Sequence, residues 1–221
     1  SIREFVNEIY NSEKIPSDIE AWISEFETKF NAKQEVKKES KAPEVKREKI
    51  QAGFGRALVK VAEAGLPVIA VSSDLQGSTG VAPLHKAFPD NCFDIGVAES
   101  NMVSVAAGLS KAGYLPVVDT FAQFGVTKGN LPFVMASLSE APVVAAFTHV
   151  GFQDAADGAS HQSLTYLSAI SSIPNTKAII VSSSAESEAL MYQAISQIEA
   201  DRKSGKSASS YIFFVGRENY P

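Results

Sequence analysis

The sequence predicts a three-layer α/β/α domain with a largely parallel sheet of about six strands, preceded by a short helical tail and a charged linker. Two observations predict this fold. Short apolar runs of strand length alternate along the chain with longer segments in which apolar residues recur at helical spacing. The short runs are apolar at successive positions rather than at alternate ones, which is typical of parallel strands that helices cover on both faces.

The elements of this domain follow one another from about residue 51. Helical spacing predicts helices over residues 52–64, 99–111, 121–138, 161–170 and 186–203. Continuous apolar runs predict strands over residues 68–72, 92–97, 115–118, 143–148, 178–182 and 211–215. Because helices connect the strands, the carboxyl ends of the strands are expected at one edge of the sheet, where ligands bind in such folds.

The first part of the chain differs from the rest. Residues 1–32 carry apolar positions at helical spacing on both sides of Pro16-Ser17-Asp18, which is a helix-start signal. They predict two short helices that are too small to bury a core, and we interpret them as the helical tail of a preceding domain. Residues 33–48 are dominated by charge and predict a solvated linker. The domain itself then spans residues 49–221, and we expect the chain to be a fragment of a larger protein.

Composition narrows the class of protein. Of the 221 residues, 45% are hydrophobic and 20% are charged, and the net charge of −5 offers no basic surface for nucleic acid. No apolar run reaches the roughly 18 residues of a membrane helix, and the acidic, aromatic N-terminus is unlike a signal peptide. We therefore expect a cytoplasmic protein without nucleic-acid or membrane partners. The single cysteine, Cys92, lies among apolar residues and is interpreted as an unreactive, buried side chain.

Polar and titratable residues follow the predicted strands. The segments concerned are SDLQGSTG at 73–80, Glu99, residues 119–124, the loop from His149 to His161, and Arg217. All of them fall on the carboxyl edge of the predicted sheet. Convergence of such groups at one edge is what a ligand pocket requires.

Glu99 lies where a predicted strand hands over to a helix. In an open parallel sheet, an acid at this junction is placed to contact a bound molecule. The competing interpretation is structural, since an acid in the first turn of a helix is favoured by the helix dipole.

Two of the three histidines, His149 and His161, flank the long loop that also contains Asp157. Two histidines with eleven residues between them are a poor zinc signature, so the sequence predicts no metal site here. Imidazoles beside a carboxylate are better suited to proton transfer and to hydrogen bonding with a hydroxyl-rich substrate. The competing interpretation is that these loop histidines are satisfied by the backbone.

Phe121 and Phe124 are three residues apart at the start of a predicted helix, so their rings are expected on one face. Such a pair often belongs to the core. Beside a carboxylate on a neighbouring strand end, the rings could instead stack on a flat heterocycle whose edge nitrogen bonds the acid.

Together these segments resemble the transketolase family, in its middle, pyrimidine-binding domain. The matching segments are SSDLQGST at 72–79, DIGVAESNMVSVAAGLSKAG at 94–113, DTFAQF at 119–124, THVGFQDAADGASHQS at 148–163, SSIPN at 171–175 and VGRENYP at 215–221. IGVAESNM followed by DGASHQ in this order and spacing is specific, whereas each motif alone is not. The resemblance implies a thiamine-diphosphate-binding fold and the transfer of a two-carbon ketol unit between sugars.

The resemblance implies a cofactor site. Glu99 corresponds to the catalytic glutamate that hydrogen-bonds N1′ of the thiamine diphosphate pyrimidine and promotes deprotonation of the thiazolium C2. Phe121 and Phe124 correspond to the aromatic wall over that pyrimidine. The diphosphate and its Mg²⁺ or Ca²⁺ would be held mainly by a separate diphosphate-binding domain, on the same polypeptide or a partner subunit. A homodimer is expected because the cofactor lies across a subunit interface in this family.

The resemblance also implies a substrate site for a sugar or sugar phosphate. His161, the second catalytic candidate, and Asp157 correspond to groups that contact sugar oxygens, and His161 could assist proton movement. Ser78, His149 and Arg217 correspond to residues that hold the substrate phosphate, for which a guanidinium is well suited.

The chain departs from the family pattern at the phosphate site. A Thr-Arg pair commonly opens the first helix of the domain, and here Ile50-Gln51 stands in its place. The loss of that charge makes a non-phosphorylated substrate conceivable. Another thiamine-diphosphate enzyme, such as a deoxyxylulose-phosphate synthase or a 2-oxoacid dehydrogenase β subunit, is an alternative, and so is a catalytically degenerate assembly module.

Overall fold

A computed structural model of the chain describes residues 2–10, 14–39, 47–154, 156–216 and 219–220. By contact the chain divides into two compact units, Ser1–Lys46 and Arg47–Pro221. The first unit holds helices α1 (Ile2–Tyr10) and α2 (Ser17–Glu39). Arg3 joins these two helices through ion pairs with Glu20 and Glu27. Helix α2 continues well into the segment that charge alone assigns to a linker.

The second unit carries the remaining elements. Its strands are β1 (Glu48–Lys49), β2 (Val68–Ser72), β3 (Cys92–Asp94), β4 (Leu115–Phe121), β5 (Val144–Thr148), β6 (Thr176–Ile180), β7 (Ser210–Phe214) and β8 (Asn219–Tyr220). Its helices are α3 (Ala52–Glu63), α4 (Gln76–Thr79), α5 (Ala82–Ala87), α6 (Glu99–Lys111), α7 (Ala122–Thr127), α8 (Asn130–Leu138), α9 (Tyr166–Ile170) and α10 (Ser184–Lys203), with a 3-10 turn at Pro89–Asn91.

Six of these strands form one parallel sheet in the order β3-β2-β4-β5-β7-β6. The predicted three-layer α/β/α fold with a parallel six-stranded sheet is therefore confirmed. The four inner strands are buried along their whole length. The prediction that all six strands are buried is wrong, because β3 and β6 lie at the two edges and are covered less.

Two hydrophobic clusters cover the two faces of the sheet. Helices α3 and α10 cover one face, where Phe54 packs edge-on against Phe213. Helices α6 and α8 cover the other, where Phe133 packs edge-on against Phe147. Neighbouring residues of β7 point to opposite clusters, since side chains alternate across a strand. This two-sided burial explains why the inner strands are apolar at every position.

The predicted helix 121–138 is wrong in two respects. Phe121 is the last residue of β4 and pairs with Thr148 of β5, so the strand runs three residues further than predicted. The helix itself is broken into α7 and α8. Pro132 explains the break, because a proline within a continuous helix would clash with the carbonyl of the residue four positions earlier, Lys128. In α8 the proline falls in the first turn, where it is tolerated.

Other boundaries differ from the predictions where loops have structure of their own. The predicted helix 161–170 is confined to α9, because Val150 forms a parallel bridge with Ser163 and keeps that segment extended. The strand predicted over 92–97 ends at Asp94, and the strand predicted over 178–182 lies two residues earlier. The short helices α4 and α5 were not predicted, since their few residues carry no periodic pattern. In the described part of the chain, no helix combines the length and apolarity needed to cross a membrane.

Candidate active site

The carboxyl ends of β2, β4 and β5, which are neighbours in the sheet, bring most of the predicted site residues to one edge. Strand β4 ends at Phe121, and β5 is followed directly by His149. The helices that begin nearby contribute Glu99 at the start of α6 and Phe124 in α7. The long loop after β5 brings His161 back to this edge, next to Phe124.

Glu99 is the first residue of α6, and only 1% of its surface is exposed. Asp94 shapes the loop before it by accepting hydrogen bonds from the Asp74 and Gly96 amides at 3.1 and 2.9 Å. The Glu99 Oε2 atom is buried and accepts no hydrogen bond from the residues that the structure describes. The Lys128 ammonium lies 3.7 Å from this atom. A helix dipole favours an acid at this position but does not require such burial, so the dipole alone does not account for Glu99.

Two phenylalanines and two histidines form a ring cluster. The rings of Phe121 and Phe124 stack with centroids 6.4 Å apart and planes 21° apart. The His149 ring lies 4.0 Å from the Phe121 ring, and the His161 ring stands edge-on to Phe124 at 5.0 Å. Phe121 is 7% exposed whereas Phe124 is half-buried, so the cluster presents part of its surface outward. Such a cluster can stack on a flat ring.

The two histidines are held differently. His149 is buried, its backbone adopts a left-handed φ of 64°, and its Nδ1 lies 2.7 Å from the Thr148 hydroxyl. This conformation is rare in non-glycine residues and places the ring over Phe121. His161 lies in a turn, where its amide donates to the Gly158 carbonyl at 3.0 Å and its Nδ1 lies 2.9 Å from the Ser160 hydroxyl. The left-handed φ of 75° at Gly158 allows this turn.

The remaining predicted substrate residues are less closely joined to this cluster. Asp157 is exposed in the loop, four residues before His161. Ser78 is exposed in α4, and its backbone carbonyl accepts a hydrogen bond from the Gln51 side-chain amide at 3.2 Å. The structure thus places the residue that departs from the family pattern next to a predicted phosphate ligand. Arg217 lies outside the described residues.

The sequence places Asp119 among the polar residues that follow a strand but assigns it no role, whereas the structure shows a fully buried acid within β4. Its Oδ2 accepts hydrogen bonds from Thr79 at 2.6 Å and from Ser72 at 3.0 Å, while its Oδ1 has no hydrogen-bond partner among the described residues. Burial raises the pKa of Asp119 to about 7, against the lowering effect of the two hydroxyls. An acid inside the otherwise apolar run LPVVDTF was the available signal.

Lys128 was missed by sequence reasoning, because a lysine at a helix end carries no signal of its own. Its ammonium lies near Glu99 and 5.6 Å from the centroid of the Phe124 ring. Within the described ranges, no three histidine, cysteine or acidic side chains come close enough together to hold a metal ion. Cys92 is half-buried rather than fully buried as the sequence predicts, and burial raises the pKa of its thiol to about 11, so little thiolate forms near neutral pH.

A parallel sheet covered by helices on both faces, with a buried carboxylate and an aromatic cluster at its carboxyl edge, is typical of α/β proteins that bind ligands at this edge. The family model for the pyrimidine-binding domain of transketolase matches residues 48–205, and the chain belongs to this family. This match confirms the resemblance seen in the sequence motifs. The family is one of thiamine-diphosphate-dependent enzymes.

Similar proteins include a 1-deoxy-D-xylulose-5-phosphate synthase and several transketolases. The chain is 35% identical over 122 residues to a 1-deoxy-D-xylulose-5-phosphate synthase from Desulforudis audaxviator, covering 55% of this chain and 19% of that protein. Among solved structures it is similar to a split-gene transketolase, an inactive β4 tetramer, with 28% identity and a TM-score of 0.65, covering 78% and 53% of the two chains. The fold also matches a transketolase from Campylobacter jejuni at 20% identity and a TM-score of 0.63, covering 79% and 26%. The chain thus spans about a fifth of the length of the first of these relatives.

Proposed function

We propose that this chain supplies the pyrimidine-binding side of a thiamine diphosphate site in an enzyme that transfers a two-carbon ketol unit from a ketose to an aldose. The observation that carries the proposal is the buried Glu99 Oε2, which accepts no hydrogen bond from the described residues and is linked through Lys128 to the aromatic cluster. A buried acceptor without a donor is costly unless a ligand supplies one. A protonated or tautomeric ring nitrogen of the cofactor is such a donor, so the residues present fit the cofactor.

The residues of this chain would have two roles at this site: holding a proton and orienting the pyrimidine ring. When bound, thiamine diphosphate supplies a nucleophilic thiazolium carbon. Glu99 would hold the proton at the pyrimidine nitrogen, in surroundings from which water is largely excluded. Phe121 and Phe124 would orient the ring by stacking.

The substrate would lie on the histidine side of the cluster. His161 and Asp157 would bind sugar oxygens, with His161 placed to accept or return a proton at a substrate hydroxyl. His149, Ser78 and Arg217 would bind the distal end of the substrate. His149 is already oriented for this by its contact with Thr148.

A complete site requires a second domain. We infer that a diphosphate-binding domain, on the same polypeptide or a partner subunit, holds the diphosphate and its Mg²⁺ or Ca²⁺, and that the assembly is a homodimer. The likeness to a split-gene transketolase that forms an inactive β4 tetramer supports the expectation that this chain alone is inactive.

The proposal is tested by combining the chain with its diphosphate-binding domain and titrating thiamine diphosphate by calorimetry, with Mg²⁺ present. Saturable binding together with two-carbon transfer between sugars is the expected result. An assembly that is folded but binds no thiamine diphosphate would contradict the proposal and favour a degenerate assembly module.

A second candidate reaction is the synthesis of 1-deoxy-D-xylulose 5-phosphate. The names of the curated relatives favour it. The contacts of His149 and His161 with one aromatic cluster support ketol transfer, because two neighbouring imidazoles suit a substrate rich in hydroxyls. Product analysis of the same assembly separates the two, since only one reaction releases 1-deoxy-D-xylulose 5-phosphate.

Replacing Gln51 with arginine is expected to lower the KM for phosphorylated sugars by about tenfold, the effect of one charged hydrogen bond to a phosphate. Gln51 is only 3% exposed, and its side-chain amide contacts the Ser78 backbone, so a guanidinium there would lie beside a proposed phosphate ligand. The measurement is KM for a sugar phosphate and for the corresponding free sugar. Gln51→Met is the uncharged control. Equal changes in both KM values would contradict the role of charge at this position.

A further inference from the structure

Lys128 stands between the two parts of the proposed cofactor site. Its ammonium lies 3.7 Å from Glu99 Oε2 and 5.6 Å from the centroid of the Phe124 ring. The first distance is that of an ion pair without a hydrogen bond, and the second that of a cation–π contact. One side chain therefore contacts both the carboxylate and the aromatic wall on which a flat ring would lie.

The backbone of Lys128 is fixed next to Glu99. Ser100, the residue after Glu99, donates a hydrogen bond from its hydroxyl to the Lys128 carbonyl at 2.6 Å. That carbonyl is available because Pro132 has no N–H to donate to it. The Lys128 amide in turn donates to the Phe124 carbonyl at 2.9 Å. Hydrogen bonds to Ser100, in the first turn of α6, and to Phe124, in α7, therefore keep the Lys128 backbone close to Glu99 and Phe124.

The side chain, in contrast, is free to move. Lys128 is 55% exposed, whereas its partner Glu99 is 1% exposed. A lysine side chain has a flexible four-carbon stem, so the ammonium can swing into water without disturbing the backbone. The acid cannot move in the same way, since it is enclosed.

We propose that Lys128 is a positioning residue for Glu99. Before the cofactor binds, the Lys128 ammonium holds the Glu99 carboxylate and covers the Phe124 ring. It gives up both contacts when a ring nitrogen of the cofactor forms a hydrogen bond with Glu99. This inference rests on the proposed function. An ammonium and a protonated ring nitrogen would compete for the same oxygen, and like charges at that distance repel. Binding of the pyrimidine therefore requires the ammonium to move away.

Because of this competition, two opposite effects on the binding of the anionic cofactor are expected when Lys128 is replaced. Loss of a positive charge should by itself weaken the binding of a diphosphate. Loss of a competitor should strengthen it, by about two- to fivefold for a partly exposed ion pair. The sign of the effect therefore separates positioning from general electrostatic attraction.

The experiment measures the Kd of thiamine diphosphate by calorimetry for the complete assembly, at low and at high salt. Lys128→Met is expected to lower Kd about two- to fivefold at low salt and by less at high salt, because salt screens the ion pair that is lost. Lys128→Gln serves as a second variant, and Lys128→Arg should restore the wild-type Kd. Lys111→Met, at the other end of α6, is the matched control for loss of a surface lysine and should not lower Kd.

A second arm repeats the comparison in the Glu99→Gln background. There Lys128→Met is expected not to lower Kd, since the carboxylate for which the ammonium competes is gone. An unchanged or raised Kd for Lys128→Met and Lys128→Gln, or an equal effect in both backgrounds, would overturn this inference while leaving the proposed function in place. A wild-type assembly that binds no thiamine diphosphate would overturn the proposed function, and this inference with it.

Discussion

Replacing Glu99 with glutamine is expected to lower kcat of the complete enzyme by about 100- to 1000-fold, the usual effect of removing a proton-transfer group. Glutamine keeps the size of the side chain and can still contact the pyrimidine, but it cannot hold a proton as a carboxylate does. Because Glu99 Oε2 is buried and accepts no hydrogen bond from the described residues, the neutral amide should not destabilise the fold. The measurements are kcat under saturating cofactor and the free energy of unfolding in urea.

Asp18→Asn is a matched control for this substitution. Asp18 is also an acid in the first turn of a helix, but it is exposed and belongs to the unit that does not carry the site. It should leave kcat unchanged and cost at most about 1 kcal/mol of stability through the helix dipole. If Glu99→Gln behaved in the same way, with a small loss of stability and full activity, the acid would be a structural first-turn residue after all.

The free energy of unfolding of this chain is expected to fall by several kcal/mol between about pH 4 and pH 8, because Asp119 is buried. Burial raises the pKa of Asp119 to about 7 in the folded chain, whereas an unfolded aspartate titrates at about 4. The folded state thus binds the proton more tightly, so its stability is full below the unfolded pKa and is lost as the pH rises through the folded pKa. Asp119→Asn keeps the side chain neutral and should remove this part of the pH dependence.

The measurement is urea unfolding of both chains at intervals across that pH range. The stability of Asp119→Asn relative to the original chain should rise with pH, and the asparagine variant should be the more stable of the two at pH 8. Asp90→Asn, which replaces an exposed acid, is the control for a change of net charge. Parallel pH profiles for Asp119→Asn and the original chain would show that Asp119 does not ionise in this range.

Asp119 also has a consequence for the site. It accepts hydrogen bonds from Thr79 of α4 and Ser72 of β2, so it ties the helix that carries Ser78 to the strand that ends at Phe121. A proton on Asp119 would leave this tie intact, since the acid can still accept from both hydroxyls.

The sequence predicts the parallel sheet well because the evidence for it is local. Strand β2 and helix α6 agree with prediction at both ends, since each is a single periodic or apolar run with clear limits. The helix break at Lys128 was missed because apolar residues on both sides of it keep helical spacing. Pro132 is the physical cause of that break, because a proline does not fit inside a continuous helix.

The sequence predicts which residues belong to the candidate site better than it predicts the contacts between them. Phe121 was expected to face Phe124 as part of one helix, and the two rings do stack, although Phe121 is a strand residue. The approach of His149 to Phe121 depends on two strands that are adjacent in space but more than twenty residues apart in the chain. Spacing along the chain contains no such information.

The sequence alone determined the parallel α/β class, the edge of the sheet at which polar groups gather, and the family, because runs of apolar residues and short motifs are properties of the chain read in order. Only the tertiary structure decided that Glu99 is buried with no hydrogen bond to its Oε2 from the part of the chain that is described, that Lys128 lies against it, and that Asp119 is enclosed among hydroxyls. The reason is physical: burial and charge pairing depend on which elements become neighbours across the sheet, and that choice is made by packing over the whole domain.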